Sequence, residues 1–411
     1  MGKKSFWIWI IFLGFATLAP AQSMDSLVRQ ALAENLLLAA SEKEYRAALE
    51  EAPQVSQLPD PEFGLGVFIM PVETRVGAQE MRLAGTQMFP WPGTLRAKRD
   101  LAISAAEIEG EQRSVIRLEI AYRARKAFLE LYLLQERAVI VDRNLDLLRS
   151  LEQLSLSKVE SGRASTADVL RVKLQIREQE QRLKTLENSL RKPLAELNQL
   201  LNRSPDTEIS VEGRLSVADL PEGLESIREF LEEGHPSLRV LEARQEKGRR
   251  ALALNELDRK PSFGAGLDYV IVSRRNDASP PDDGRNALMP RATVKVPLFT
   301  SKFDARAEQE RLRIQALEDR KLNLGNELIA SLQQALADHR DAELKLELYR
   351  DQLVTLNRAI EVLTEKYSNQ GSSFDELLRL YQERIGYDMK RLEAIVQSHL
   401  ARAAVLRLID F

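Results

Sequence analysis

The chain has 411 residues, of which 44% are hydrophobic and 29% charged, and its formal net charge is -3. This length allows two or three domains and a sizeable apolar core. The near balance of acidic and basic residues gives no overall basic surface for nucleic acid. The chain contains no cysteine, which excludes disulfides, a thiol nucleophile and a lipid-modified N-terminal cysteine.

The first 21 residues are typical of an export signal. Two lysines precede an apolar run from Phe6 to Ala19, and the small-residue sequence Ala19-Pro20-Ala21 follows. We therefore expect residues 1–21 to be a signal peptide and the mature protein to begin near Gln22. A membrane-anchoring helix is the alternative, but the run is short for a span. Beyond it no apolar stretch is long enough for a helical span, so membrane insertion would require strands.

Two parts of the chain share short sequence matches in the same order. Pro61-Glu-Phe-Gly-Leu-Gly66 matches Pro261-Ser-Phe-Gly-Ala-Gly266, and residues 31–38 match residues 231–238 at the same offset. Later matches have a larger offset, which a longer loop at residues 273–287 accounts for. The sequence therefore predicts two structural repeats, residues 22–201 and 224–411, joined by a linker at residues 202–223.

Each repeat is predicted to contain a helix, a β-hairpin, a very long helix, a tight turn and a returning helix. In the first repeat the expected hairpin, long helix and turn lie at about residues 61–90, 92–160 and 162. In the second repeat they lie at about residues 261–298, 299–369 and 371, and the return strand of this hairpin is expected near residues 291–296. The first helices are expected at about residues 24–52 and 222–259, and the returning helices at about residues 165–201 and 373–409.

Apolar or small residues recur every seven positions along both long helices. In the first they include Ala124, Ala127, Leu131, Leu134, Ala138, Val141, Leu145 and Leu148, and in the second Leu328, Leu332, Ala335, Ala342, Leu353, Leu356 and Ile360. A sustained seven-residue repeat predicts supercoiled helix pairs. The sequence therefore predicts long antiparallel coiled-coil hairpins that together form an α-barrel.

The hairpins alternate apolar residues with glycine or polar residues. Phe63, Leu65, Val67 and Ile69 alternate with Gly64, Gly66 and Phe68, and Phe263, Ala265, Leu267, Tyr269 and Ile271 alternate with Gly264, Gly266, Asp268 and Val270. Strands of about ten residues with one apolar face are typical of a transmembrane barrel, although an amphipathic sheet on a soluble core has the same pattern. Four strands cannot close a barrel, whereas three copies of the chain would supply twelve.

Several short motifs appear in a fixed order along the mature chain. They are Phe89-Pro-Trp-Pro-Gly93, the turn from Gly162 to Leu170, Glu233-Gly-His-Pro-Ser-Leu238 and Val296-Pro-Leu-Phe299. With the duplicated architecture, they resemble the outer-membrane efflux protein (TolC) family. The resemblance implies a mainly α fold with a small β part, and a homotrimer with a 12-stranded barrel in the outer membrane. It also implies a 12-helix tunnel in the periplasm.

The resemblance further implies the function of a passive channel subunit in a tripartite efflux or type I secretion system. Such a channel contacts outer-membrane lipid, docks to a periplasmic adaptor (membrane fusion) protein and works with an inner-membrane pump. No cofactor is implied, and the chain has no nucleotide-binding loop of its own. A non-channel periplasmic coiled-coil scaffold or adaptor is the alternative reading. The cargo stays open, because Met70, Met81 and Met88 fit either soft-metal binding or packing.

The two helical turns hold the candidate functional residues. Gly162, Arg163, Ala164, Ser165, Gly371, Ser372 and Ser373 are candidates for adaptor contact, with ordinary solvent-exposed turn residues as the alternative. Asp168, Asp375 and Glu376 are candidates for acidic rings at the periplasmic aperture. Stabilisation of helix starts is the alternative for the two aspartates. The second turn departs from the family spacing by about one residue, which weakens a residue-by-residue transfer of the family's aperture positions to this chain.

The sequence offers little material for a catalytic site. Its three histidines are His235, His339 and His399, and the first two fit helix capping and packing better than catalysis or metal ligation. Most carboxylates lie on helical faces beside lysine or arginine, as solvated pairs do. We therefore predict that the chain is not an enzyme.

Overall fold

The computed structural model describes residues 23–211, 213–370 and 374–409. The predicted signal peptide and the predicted tip residues Gly371, Ser372 and Ser373 lie outside the described residues. The helices are α1 (Met24–Glu34), α2 (Leu36–Leu49), α3 (Glu51–Val55), α4 (Thr94–Glu160), α5 (Thr166–Ser189), α6 (Arg191–Leu200), α7 (Leu224–Glu233), α8 (Pro236–Asp258), α9 (Ser301–Gln370) and α10 (Phe374–Ile409). The strands are β1 (Glu62–Thr74), β2 (Gly77–Phe89), β3 (Ser262–Val272) and β4 (Ala287–Lys295). The prediction of a mainly helical chain with a small antiparallel sheet is confirmed.

The chain divides into two compact units. The turn unit contains the residues up to Asn35, Glu119–Glu222 and Leu332–Arg407, and the sheet unit contains Leu36–Leu118, Gly223–Ser331 and the residues from Leu408 onward. The helices α4 and α9 each contribute one segment to each of the two units. None of the helices in the described part of the chain is both long and apolar enough to cross a membrane.

The core of the turn unit lies where α4, α5, α9 and α10 pack together. Its members share near-complete burial and include Val141, Leu145, Leu148, Val172, Leu356, Ile360, Tyr367, Phe374 and Leu377. The predicted seven-residue repeat supplies several of them, and it also supplies the buried residues Ala124, Ala127 and Leu131. Because deletion of a buried leucine typically costs about 2–5 kcal/mol, this stripe is a main source of the unit's stability.

A segment of the predicted linker is fixed to two helices of the turn unit. His339 Nε2 donates to Ala218 O at 2.6 Å, and His399 Nε2 donates to Ser216 O at 2.8 Å. Ser398 Oγ in turn accepts from the backbone N–H of Ala218 at 3.0 Å. Burial is the main reason why the pKa of His399 is lowered from its ordinary value. The two histidines therefore hold the linker through these hydrogen bonds, and burial disfavours the protonated form of His399.

The sequence prediction missed four breaks in the described helices. Those at Glu50 and Leu190 are single residues between consecutive helices, and the remaining two are fixed by side-chain hydrogen bonds. Of these two, one falls at Asn35, whose backbone is extended and whose side-chain Nδ2 donates to Leu200 O at 3.1 Å. The other falls at Gly234 and His235, where the His235 ring accepts from Ser237 N at 3.1 Å and caps α8. A polar side chain therefore stabilises the interruption of the helix at both positions.

The helices of the sheet unit are joined by ion pairs and side-chain hydrogen bonds. Arg239 on α8 contacts Glu111 on α4 at 2.8 Å, and Lys321 on α9 contacts Glu242 on α8 at 2.7 Å. Asn255 Nδ2 is buried and donates to Phe303 O at 2.9 Å. Pairs of this exposure contribute about 0–1 kcal/mol each, so they set the helix register more than they stabilise the unit.

The four strands form one antiparallel sheet in the order β1-β2-β3-β4. Phe63 pairs with Gly85, Gly85 with Leu267 and Leu267 with Pro290, which carries the register across the whole sheet. Strand β1 contains a bulge between Val67 and Val72, so the expected alternation stops after Val67. Strand β4 begins at Ala287, four residues before the predicted return strand near residue 291.

The ends of the two hairpins are joined to each other. The backbone N–H of Gly284, in the loop of residues 273–286, donates to Val76 O at 2.7 Å, and that of Ser273 donates to Ala78 O at 2.9 Å. Within the loop, Arg275 forms a bidentate ion pair with Asp277. The longer second loop was predicted from the shift in repeat offset, and here it covers the turn of the first hairpin.

Candidate functional site

One face of the sheet is apolar and exposed. In antiparallel pairing, directly opposed residues point to the same face, and the register therefore places a continuous apolar set on one side. Its members include Phe63, Leu65, Val67, Leu83, Phe263, Leu267, Tyr269, Leu288 and Val294. Phe63 is 84% exposed and Val67 is 67% exposed. An exposed apolar face of this extent indicates a surface that meets lipid or another protein.

The opposite face of the sheet carries a charged cluster. Asp268 on β3 is 0% exposed and forms an ion pair with Arg82 on β2, while Arg291 on β4 lies 3.7 Å from the other Asp268 oxygen. Arg291 Nη2 also donates to Thr86 Oγ1 at 2.5 Å. One carboxylate between two guanidinium groups leaves this part of the face with excess positive charge. A buried ion pair tolerates loss of one partner poorly, so the three residues act as a set.

Glycine makes room for this cluster. A side chain at Gly266 would place its Cβ 2.9 Å from Gly85 O and 3.4 Å from Arg291 Nε. Both positions bordering Gly266 in the register, Thr86 and Arg291, belong to the polar face. The glycine therefore lets the Arg291 side chain lie across the sheet toward Asp268.

Strands β1 and β4 are the outer strands of the sheet. Among the residues that the structure describes, no further strand pairs with the outer edge of either one. β1 is 13 residues long and β4 is 9 residues long. Their unpaired N–H and C=O groups form templates for pairing with another strand.

The first helical turn is closed by a glycine. Gly162 has φ +72°, and the backbone N–H groups of Gly162 and Arg163 donate to Val159 O at 2.9 Å and Lys158 O at 2.8 Å. This pair of bonds is the Schellman ending of a helix, in which a left-handed residue follows the last turn. Ser165 then caps α5 by accepting from the backbone N–H of Ala167 at 3.1 Å. Gly162, Arg163 and Ser165 are exposed, and Ala164 is partly exposed.

The candidate aperture residues lie at the starts of the returning helices. Asp168 is in the first turn of α5, and Asp375 and Glu376 are in the first turn of α10. Arg171 forms an ion pair with Asp375 and lies 3.8 Å from Asp168. Asp375 and Glu376 are exposed, whereas Asp168 is largely covered. Both roles considered for the two aspartates, aperture charge and helix-start stabilisation, stay predictions.

Sequence reasoning missed the residues that organise this region. Arg171 joins the two aspartates, and the fully buried Tyr367 packs on Phe374 with ring centroids 5.3 Å apart. Lys158 Nζ donates to Ser368 O, which links the end of α4 to α9. A basic residue one helical turn after Asp168 was a signal for a local pair, but nothing in the sequence indicated the partner on α10.

The residues that the structure describes contain no group of three or more His, Cys, Asp or Glu side chains arranged to hold a metal ion. Of the methionines that raised a soft-metal interpretation, Met70 lies within the bulge of β1, while Met81 and Met88 lie on opposite faces of β2. The three sulfur atoms are therefore not presented on one face of the sheet.

Comparison with solved structures found outer-membrane channels. The outer-membrane channel OprN superposes with a TM-score of 0.76 at 17% identity, over 94% of this chain and 89% of that chain. The outer membrane protein VceC from Vibrio cholerae gives 0.73 at 14% identity, over 94% and 95%. The open state of the Neisseria gonorrhoeae MtrE outer membrane channel gives 0.73 at 15% identity, over 94% and 88%.

No protein-family model and no curated protein sequence matches the chain. The structural neighbours are channels and not enzymes, in agreement with the prediction that this chain is not an enzyme. At identities this low, the likeness is one of fold, and it extends over nearly the whole length of both chains. The chain has the fold of the outer-membrane efflux protein (TolC) family.

Proposed function

We propose that the chain is a passive outer-membrane channel subunit of a tripartite efflux or type I secretion system. Three copies form a homotrimer with a 12-stranded β-barrel in the outer membrane and an α-barrel of long helical hairpins in the periplasm. The observation that carries the proposal is the four-stranded sheet, with one exposed apolar face and two unpaired edges. The fold shared with outer-membrane channels supports it.

The edges make closure by other copies necessary. In hydrocarbon an unpaired backbone N–H or C=O costs several kcal/mol, so a single open sheet is unstable there. Pairing β1 of one copy with β4 of the next removes both edges. Twelve strands from three copies would then enclose a lumen lined by the face that carries Arg82, Asp268 and Arg291, while the apolar face meets lipid.

The alternative of a soluble coiled-coil scaffold explains the helices but not the sheet. A scaffold would leave Phe63, Leu65 and Val67 in water on one continuous face, and soluble proteins rarely expose apolar patches of that kind. In a channel the same residues are covered by lipid. Energy for transport would come from an inner-membrane pump, to which the helical tip is connected by a periplasmic adaptor.

Membrane fractionation followed by conductance measurement tests the proposed function. We expect the full-length chain in the outer membrane as a heat-resistant oligomer, with ion conductance when the purified species is added to a planar bilayer. A periplasmic monomer without conductance would reject the channel and leave the scaffold as the better interpretation.

Adaptor docking is tested at the exposed turn. Arg163→Glu reverses a charge beside Gly162 and should weaken crosslinking to the adaptor without loss of the folded oligomer. Arg340→Glu on α9 is the matched control, because Arg340 is also exposed and its neighbouring partner is Glu343. Equal crosslinking of wild type and Arg163→Glu would remove the docking role from this residue.

Acidic aperture rings are tested through the arginine that contacts them. Arg171→Gln removes the cation beside Asp168 and Asp375, so cation block of single channels should increase if these carboxylates face the passage. Replacing both aspartates with asparagine should weaken the block, with Glu376 as the remaining candidate acid. Conductance and block unchanged in both variants would leave helix stabilisation as the role of the aspartates.

A further inference from the structure

A small, partly open cavity lies in the turn unit, and the proposed channel makes no use of it. It has a volume of about 230 Å³ and is bordered by one face of α4, one face of α10 and the linker segment at Arg214 and Leu215. The α4 residues that border it, from Tyr132 to Leu147, recur at helical spacing. The cavity is therefore a built feature of two facing helices and a strap.

Charged side chains around the cavity are mostly basic. Four arginines line it, Arg143, Arg214, Arg384 and Arg391, together with two carboxylates, Glu136 and Asp388. Of these four arginines, only Arg384 lies within 4.0 Å of a carboxylate among the described residues, with Nε 3.9 Å from Asp388 Oδ2. The remaining guanidinium groups keep hydrogen-bond donors for a further anion.

Asn144 faces this cavity from α4 without a protein partner. It is 3% exposed, and neither its side-chain nitrogen nor its side-chain oxygen has a hydrogen-bond partner among the described residues. Buried amides are normally satisfied, because an unpaired one carries the full cost of desolvation. A polar group bound in the cavity would supply the hydrogen-bond partner that the Asn144 side chain lacks.

Tyr132 adds a second buried donor to the cavity. It is 4% exposed, and its hydroxyl oxygen accepts from the backbone N–H of Leu215 at 3.0 Å. Burial raises the pKa of this hydroxyl above its ordinary value, so at neutral pH it keeps its proton. That proton is free to be donated to a bound acceptor.

The rest of the lining is aliphatic. Ile140 and Leu147 on α4 face Ile385 and Leu392 on α10. Burial also raises the pKa of Asp388, against the effect of Arg384, Arg391 and Arg143. A site with convergent donors at one side and apolar walls at the other selects amphipathic molecules.

We propose that this cavity binds a small organic anion with one negative charge and a ring or short apolar body. The acidic group contacts the Asn144 amide, the Tyr132 hydroxyl and the arginines, and the apolar body packs on the isoleucine and leucine side chains. The volume limits the ligand to about the size of one six-membered ring with its acidic group, since drug-sized sites begin at about 300 Å³. The proposal does not depend on the channel function.

Calorimetric titration of the purified full-length chain tests the site, with benzenesulfonate as the probe and benzenesulfonamide as its uncharged analogue. We expect benzenesulfonate to bind at least tenfold more tightly than the sulfonamide. Arg391→Gln and Asn144→Leu should each weaken it at least tenfold. Arg340→Gln, a change of the same kind at an exposed position outside the cavity, should leave the affinity unchanged.

Equal binding of the two probes, binding of neither, or affinity unaffected by Arg391→Gln would each overturn the proposal, and the cavity would then be a hydrated gap. Arg391 is exposed, so its replacement should not disturb folding, and circular dichroism checks this. Asn144→Leu gives an independent readout, because it should also abolish the rise in unfolding temperature that benzenesulfonate produces in the wild-type chain.

Discussion

An arginine placed on the apolar face of the sheet tests whether that face meets lipid. Val67 lies near the middle of β1, is 67% exposed and points to the apolar face. On a lipid-facing strand, arginine at the membrane midplane costs about 2–4 kcal/mol. A homotrimer carries three copies of Val67→Arg, so the total cost is roughly 6–12 kcal/mol, comparable to the whole stability of a typical domain.

The neighbouring residue supplies the control. Gly66 points to the opposite face, beside Arg82, and a Cβ at this position would meet no atom within 4 Å. Gly66→Arg therefore adds the same side chain to the face assigned to the lumen, where repulsion from Arg82 in water is about 1 kcal/mol or less. The assay is the amount of heat-resistant oligomer in the outer-membrane fraction.

We expect Val67→Arg to lower the amount of oligomer at least tenfold, while Gly66→Arg stays near the wild-type level. If the apolar face instead met water, both changes would be surface substitutions worth within about 0.5 kcal/mol. Equal amounts of oligomer for the two variants would refute the assignment of the faces.

Three further predictions concern the turn unit. Gly162→Ala should lower the unfolding free energy by about 1–2 kcal/mol, because Gly162 has φ +72°. Gly386→Ala within α10 should instead raise the unfolding free energy by about 0.5–1 kcal/mol. Urea titrations in which both variants change the unfolding free energy in the same direction would contradict this. Burial lowers the pKa of His399 from 6.5, so the folded chain disfavours the proton. The unfolding free energy should therefore fall as the pH drops below about 6.5, and it should fall less steeply with pH in His399→Gln. A wild-type urea midpoint that stays the same as the pH is lowered through this range would contradict the prediction. Tyr367→Ala should cost about 3–5 kcal/mol, while Tyr367→Phe keeps the ring packing and should cost less than about 1 kcal/mol in thermal unfolding.

Periodic features of the sequence predicted the regular elements well, because periodicity reports which face is buried. The seven-residue repeat in α4 contains Val141, Leu145 and Leu148, all buried in the core of the turn unit. The two-residue alternation after Ser262 likewise predicted the faces of β3. In both cases the signal is local to one element.

Features that depend on distant residues were not predictable. The break at Asn35 is stabilised by a hydrogen bond to Leu200 O, and nothing beside Asn35 in the sequence is a proline or glycine. Strand β4 extends from Ala287 through Pro290, which an outer strand accommodates because the missing N–H of proline is not needed for pairing on the open edge. The contact of Arg171 with Asp375 joins two helices that are far apart in the chain.

In the proposed channel, copies of the chain pair through β1 and β4 and close after three. The chain has no cysteine, so introduced pairs can be studied without background. Within one chain β2 and β3 separate β1 from β4, and three strand spacings amount to about 14 Å, beyond the roughly 7 Å that a disulfide spans. Any disulfide between these strands must therefore join two copies.

The measurement is a non-reducing gel of the outer-membrane species carrying Leu65→Cys on β1 with a second cysteine replacing Pro290, Ala292 or Val294 on β4. We expect at least one pair to give covalent dimers and trimers and no larger species. Monomers at every pair, or a ladder that continues past three chains, would contradict it.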